Sequence, residues 1–195
     1  MLQTIVKPET NRQHLRAATQ HAHQETETAW SSAEGFADAQ TYRRFLGALA
    51  TVHTRLGMPA ATLRGADEMA DEWERVHALA NDLGHTPPPP PARGGMSDSF
   101  AWGVGYALNG AALGAAMMLK GGFLPPDWPK AYLSTGRDYA KSGRLARFFD
   151  ALNDVGLDRE EAARGARAVF DGLAGETVRD AAPPARDEAP LCTTA

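Results

Sequence analysis

The chain has 195 residues, of which 43% are hydrophobic and 23% charged, and its formal net charge is -4. That is enough chain for one domain with its own core, in the composition range of ordinary soluble globular proteins. Mild acidity with scattered Lys and Arg excludes a dedicated nucleic-acid surface, and a single cysteine, Cys192, excludes a disulfide framework or a thiolate metal site.

The N-terminal MLQTIVKPETNRQH lacks the long apolar core of a signal peptide, so the cytoplasm is the expected compartment. Thr10 and Gln13 have capping-box spacing, and Asn11 to about Trp30 follows without Gly or Pro, which predicts a first helix. Asp38 is placed to cap a second, whose Tyr42, Phe45, Leu49, Val52 and Leu56 recur every three to four residues. A third is expected from about Asp67 to Leu83, with Met69, Trp73, Val76, Leu79 and Leu83 on one stripe, stopped by the proline run Pro87 to Pro91.

Ser97 caps the next helix, whose segment Trp102 to Leu119 has Asn109 as its one strongly polar side chain. Ala and Gly dominate it and no Lys/Arg bias flanks it, so a buried helix is expected and not a membrane span. Gly121-Gly122 ends it, LPPDWP turns the chain, and helical stretches follow around Ala131 to Tyr139 and Arg144 to Val155. Asp158 with Glu161 is a second capping box, opening a last helix with Ala162, Ala166, Val169, Phe170 and Leu173 inward. No run alternates as a strand would, and no segment repeats. The expectation is a single all-α domain over residues 11–179, with an N-terminal extension (1–10) and a disordered tail (180–195).

Two helices carry candidate chemistry. The first holds His14, His21 and His23; a histidine on a helix is more often a surface or core residue than a ligand. His21 has Glu25 four residues on, and His23 has Glu27, so either carboxylate could steady an imidazole whose other nitrogen binds a metal. Geometry alone does not choose among the three. Thr19 and Arg16 share the face of His23, and Arg16 is placed to meet an anionic group lying along the helix. The second helix spends Gly103, Gly105, Gly110 and Gly114 where each glycine costs roughly 1 kcal/mol relative to Ala. Gly110 and Gly114 share one face. Close helix packing explains them, and so does backbone approach to a flat ligand.

Leu15, Arg16, Thr19, His23 and Glu27 form the pattern LRxxTxxxHxxxE, which resembles the proximal helix of heme oxygenases. Tyr106, Leu108, Gly110, Leu113 and Gly114 are similar to the distal helix of the bacterial, phytochrome-associated members, while Asn109, Ala111 and Ala115 stand where those usually have Glu, Ser and Gly. TYRRFLGALATVHTRL, HALANDLG and AARGARAVFDGL are weaker echoes, and the likeness spans roughly residues 12–176.

The resemblance implies a heme oxygenase-like bundle with heme b between the two helices, as substrate and cofactor together. It selects His23 as the iron ligand and gives Glu27 a supporting role. Gly110 and Gly114 would leave room above the iron, beside Thr19, Tyr106, Ala111 and Leu113. Arg16, then Arg144 and Arg147, would meet the propionates. The implied reaction is cleavage of heme by O2 to biliverdin, carbon monoxide and ferrous iron, with electrons from an external reductase or ferredoxin. A biliverdin-accepting phytochrome is an implied partner; neither nucleic acid nor membrane is. A heme sensor or store of the same fold would bind without turnover. A histidine phosphotransfer bundle would have Lys and Gly after its His, and Gln24 to Glu27 offer neither. A di-iron centre would need Glu-x-x-His pairs on facing helices, which are not expected here.

Overall fold

The computed structural model describes residues 9–30, 35–89, 95–122 and 124–181. The described chain is helical throughout, with no strand beyond an isolated bridge residue at Gly35. The helices are α1 (Asn11–Trp30), α2 (Ala39–Val52), α3 (Met58–Arg64), α4 (Ala66–Leu83), α5 (Asp98–Gly121), α6 (Ala131–Lys141), α7 (Arg144–Asp154) and α8 (Arg159–Ala181). None of them is long and apolar enough to cross a membrane.

The helix ends follow local hydrogen-bond chemistry. Thr10 donates its N–H to Gln13 Oε1 at 2.9 Å and accepts from Gln13 N–H at 3.2 Å, a complete capping box. Asp38 accepts from Thr41 N–H at 2.6 Å, and Ser97 from Phe100 N–H at 3.2 Å. Gly84 and Gly122 adopt the left-handed conformation that terminates α4 and α5. The proline run therefore follows a helix already ended by Gly84; Pro90 and Pro91 lie outside the described residues. At α8 only half of the expected box forms. Asp158 accepts from Glu161 N–H at 3.0 Å, but the Glu161 side chain turns to Ser97 and the Asp158 N–H to Ser99.

Two expectations about the helices are corrected. The second helix does not run unbroken to Leu56: a π-helical stretch, His53–Gly57, carries it into α3, which the hydrophobic period did not reveal. On α4, Val76 and Leu79 are buried, but Met69, Trp73 and Leu83 are only half-buried, and Asp71, Glu72 and Arg75 go inside in their place. Residues Glu9 and Thr10 are part of the fold, since the Glu9 carbonyl accepts from Arg159 and Thr10 caps α1. Of the expected tail, Asp180 and Ala181 belong to α8, and 182–195 lie outside the described residues.

α5 forms the centre, packed against α8, α6 and α3, while α1 lies along α8. Tyr42, Leu46, Leu79, Leu108, Leu133, Leu152, Ala162 and Ala166 fill the core between them. The α5–α8 crossing is close because Gly103 abuts the backbone of Ala162 and Ala166, and Gly165 abuts that of Phe100. A Cβ at Gly103 or Gly165 would enter the opposite backbone, so these glycines are required by packing.

Candidate functional site

α1, α5 and α8 all start at one corner of the bundle, the end of α7. Asn11 donates to the carbonyls of Leu152 and Val155, each at 2.9 Å, and accepts from Arg159 at 3.2 Å. Ser97 and Ser99 at the head of α5 bond Glu161 and Asp158 at the head of α8. From this corner α1 and α5 leave together. Arg12 lies over the Phe149 ring, 4.0 Å from its centroid, and Tyr106 meets the same ring edge-on at 6.2 Å. The Thr19 hydroxyl, which donates to the Leu15 carbonyl at 2.8 Å, lies near the Tyr106 hydroxyl, whose pKa is raised by burial. Thr19 and Tyr106, both expected beside the ligand, thus approach each other where α1 meets α5.

One turn beyond that contact on α1 stands His23. It continues the buried stripe of Leu15 and Thr19, yet its side chain is 56% exposed. Nδ1 lies 3.5 Å from Glu27 Oε2, and among the described residues no hydrogen bond engages Nε2. The Phe170 ring of α8 meets the imidazole edge-on, with centroids 5.7 Å apart and planes at 70°. An exposed i,i+4 ion pair contributes about 0.3–0.5 kcal/mol, whereas an aromatic edge contact contributes about 0.5–1.5 kcal/mol. His21 is 85% exposed, 3.1 Å from Glu25, and lies on the outer face.

One turn beyond the same contact on α5 stands Gly110. A Cβ built at Gly110 or at Gly114 meets nothing within 4 Å, in contrast to Gly103. Gly105 is different again: a Cβ there would collide with the guanidinium of Arg64, which donates to the Ala101 carbonyl at 2.6 Å. So of the four glycines Gly103 is required by backbone packing, Gly105 makes room for the Arg64 guanidinium, and a Cβ at Gly110 or Gly114 meets no described atom within 4 Å. Leu113 and Met117 continue the open face, 48% and 67% exposed. Ala111 beside it is half-buried, while Ala115 is buried and faces Gly136 of α6.

The arginines separate in the same way. Arg16 is exposed on α1 near Tyr106. Arg147 is exposed on α7. Arg144 points elsewhere: it bonds Asp71, approaches Glu74 at 3.7 Å and lies over the Tyr139 ring, so it is held by α4.

A cluster that sequence reasoning missed lies behind α5. His53, supplied by the π-helical stretch, holds Glu72 Oε1 at 2.6 Å through Nδ1 and the Tyr132 hydroxyl at 3.0 Å through Nε2. Arg75 donates to Glu72 Oε2 at 3.1 Å and to Asn109 Oδ1 at 2.6 Å, and covers the Tyr139 ring. Burial alone would raise the Glu72 pKa, but His53 and Arg75 beside it bring it down to about 2. Burial raises the pKa of Tyr132. Asn109 is therefore a core residue, 1% exposed, and its amide nitrogen has no hydrogen-bond partner among the described residues. The members of this cluster, His53, Glu72, Arg75, Asn109 and Tyr132, come from four different elements, so no local spacing marks it.

One Glu-x-x-His spacing does occur, Glu74 to His77 on α4, contrary to expectation; both residues are exposed. Among the described residues no group of three His, Cys, Asp or Glu could hold a metal ion. Two cavities, of about 320 Å³ between α2 and α4 and about 440 Å³ between α4 and α6, include none of the residues of α1 or α5. Neither cavity is lined by His23, Gly110 or Gly114.

No family model matches the chain, and no curated protein matches it in sequence. Among solved structures it is similar to the NO- and CO-bound heme oxygenase of Neisseria meningitidis, with a TM-score of 0.59 and 21% identity over 96% of this chain and 100% of that one. The likeness reaches from end to end, and at this identity it speaks for architecture. The chain has an all-helical, heme oxygenase-like fold.

Proposed function

We propose that the chain is a biliverdin-producing heme oxygenase, with heme b seated between α1 and α5 and His23 as its iron ligand. One observation carries this reading. An exposed imidazole with a free Nε2, and a bare glycine face continued by exposed Leu113 and Met117, each stand one turn past the same Thr19–Tyr106 contact. Soluble domains seldom leave an apolar face beside a free imidazole without use for it. A flat, largely apolar macrocycle with a central metal fits both halves, and the fold is that of a solved heme oxygenase.

Heme bound there supplies the activation of dioxygen and is itself the substrate, losing one bridging carbon as carbon monoxide. The chain's own residues have narrower tasks. His23 holds the iron through a neutral nitrogen. Gly110 and Gly114 would leave space beside the iron, where a water held by backbone carbonyls could deliver the proton the reaction needs. Leu113, Tyr106 and the half-buried Ala111 line the macrocycle. Arg16 is the first candidate for the propionates and Arg147 the second; Arg144, held by Asp71, is free for this only if that pair opens. Electrons come from an external reductase or ferredoxin, and a phytochrome that accepts biliverdin is the proposed downstream partner.

A second reading, heme binding without turnover, is favoured by one fact: α5 beyond Asp98 carries no carboxylate, and Asn109 is bound to Arg75 in the core. The experiment that decides is hemin titration of the purified protein, followed by a ferredoxin-type reductant in air with catalase present. Biliverdin should form. His23→Ala should abolish the histidine-ligated spectrum and His21→Ala should preserve it; the reverse pattern would sink the assignment. Tight binding without any bilin would establish the sensor or storage reading.

A further inference from the structure

We propose that Phe170 of α8, more than Glu27, sets the plane of the His23 imidazole. The proposal deepens the reading of His23 as a heme ligand and rests on it. On an exposed helical turn an imidazole is free to rotate about its last side-chain bond unless something holds the ring. Glu27 is a weak hold: its oxygen is 3.5 Å from Nδ1, and the two side chains are 65% and 56% exposed, so water competes for both. Phe170 is a firm one. It is 9% exposed, lies on the stripe with Ala166, Val169 and Leu173, and meets the imidazole ring at 5.7 Å and 70°.

The packing around the pair fixes the ring further. α1 lies along α8, and both helices are bonded to each other at the Asn11–Arg159 corner. Phe170 cannot follow the imidazole if it turns, because its neighbours on α8 are in the core. A ligating ring held in this way presents Nε2 in one direction and one plane, and the plane governs how imidazole orbitals overlap with those of a bound metal. Phe170 is accordingly a positioning residue, acting through His23 without touching the reacting atoms.

The test has an arm in the ligand-free chain and an arm with hemin. In ligand-free protein, NMR should show cross-relaxation between the ring protons of His23 and Phe170. Phe170→Leu should shift the His23 ring resonances more than Glu27→Gln does. With hemin, Phe170→Leu should split or broaden the ferric electron paramagnetic resonance signal and weaken binding about two- to tenfold, the worth of an aromatic edge contact. Phe170→Tyr, which keeps the ring, should restore both. Absent cross-relaxation in the wild type, or a larger change from Glu27→Gln than from Phe170→Leu, overturns the proposal, and so does failure of the Tyr variant to restore a folded protein's signal. Should His23→Ala leave the hemin spectrum unchanged, the ligand assignment fails by itself, and the ligand-free arm still decides on the ring contact. The wild-type cross-relaxation and the Glu27→Gln comparison remain decisive even if Phe170→Leu does not fold.

Discussion

Replacing Gly110 and Gly114 by alanine should stabilise the ligand-free protein. Both glycines lie inside α5 at negative φ, so alanine can adopt their backbone conformation, and its methyl group would meet nothing within 4 Å. Each change removes the helix-interior cost of glycine, roughly 0.8–1 kcal/mol. The two sites share no partner, so the double variant should gain about 1.5–2 kcal/mol. In a chain of this size that corresponds to a rise of about 3–8 °C in Tm. The control is Gly103→Ala, whose methyl group would enter the backbone of Ala162 and Ala166 and should lose about 1–3 kcal/mol or more. Urea unfolding followed by far-ultraviolet circular dichroism measures all three proteins, with equal slopes required for the comparison. Loss of stability in the Gly110/Gly114 double variant would refute the reasoning, because it would mean that another part of the chain packs on that face. A gain without hemin that is accompanied by weaker hemin binding would show that the glycines serve a ligand at the expense of the helix.

The remaining predictions concern the site and the cluster behind it. Gly110→Leu should block hemin binding while the helical dichroism signal survives; unfolding instead would return the position to packing. Ala111→Ser should leave hemin affinity nearly unchanged and raise the rate of biliverdin formation, read by absorbance under a ferredoxin-type reductant, since a hydroxyl there can hold the water that Ala111 cannot. Glu72→Gln leaves Arg75 without its buried counter-charge and should cost about 3–5 kcal/mol in urea unfolding. The Glu72 pKa is depressed to about 2 from 4.5 by its neighbours, so its contribution to stability is present above about pH 4.5 and is lost as pH falls toward 2. Glu68 and Asp71, which burial shifts upward, work in the opposite direction. The wild type should therefore lose more stability than Glu72→Gln between pH 5 and 2.5 (a range of about two units around the shift) when both are unfolded by urea.

The helices were legible because their signals are local. A cap is a side-chain oxygen within three residues of the N–H groups it accepts from, and Thr10, Asp38, Ser97 and Asp158 each do what their spacing predicts. The inward face of α8 was legible for the same reason, since Ala162, Ala166, Val169, Phe170 and Leu173 recur at the helical period and all are buried. The period misled on α4. There the core accepts Asp71, Glu72 and Arg75, because Arg144, His53 and Asn109 arrive from other elements to neutralise or bond them. No hydrophobic pattern can announce a charge whose partner lies 34 residues away, as Asn109 does from Arg75.

The sequence by itself determined the helical class, most helix ends, and the two motifs on α1 and α5. It could not tell a glycine that lets two backbones touch from one that leaves a face bare, since Gly103 and Gly110 look alike in a string of letters. Only the tertiary structure separated them, by placing α8 against the first, while a Cβ at the second meets no described atom within 4 Å. Likewise the i,i+4 spacing brought Glu27 to His23, but the Phe170 ring lies 147 residues along and reaches His23 only because α1 lies along α8. Local hydrogen bonds are written within a turn of the chain. Packing is decided by which surfaces meet, and that is a property of the whole fold.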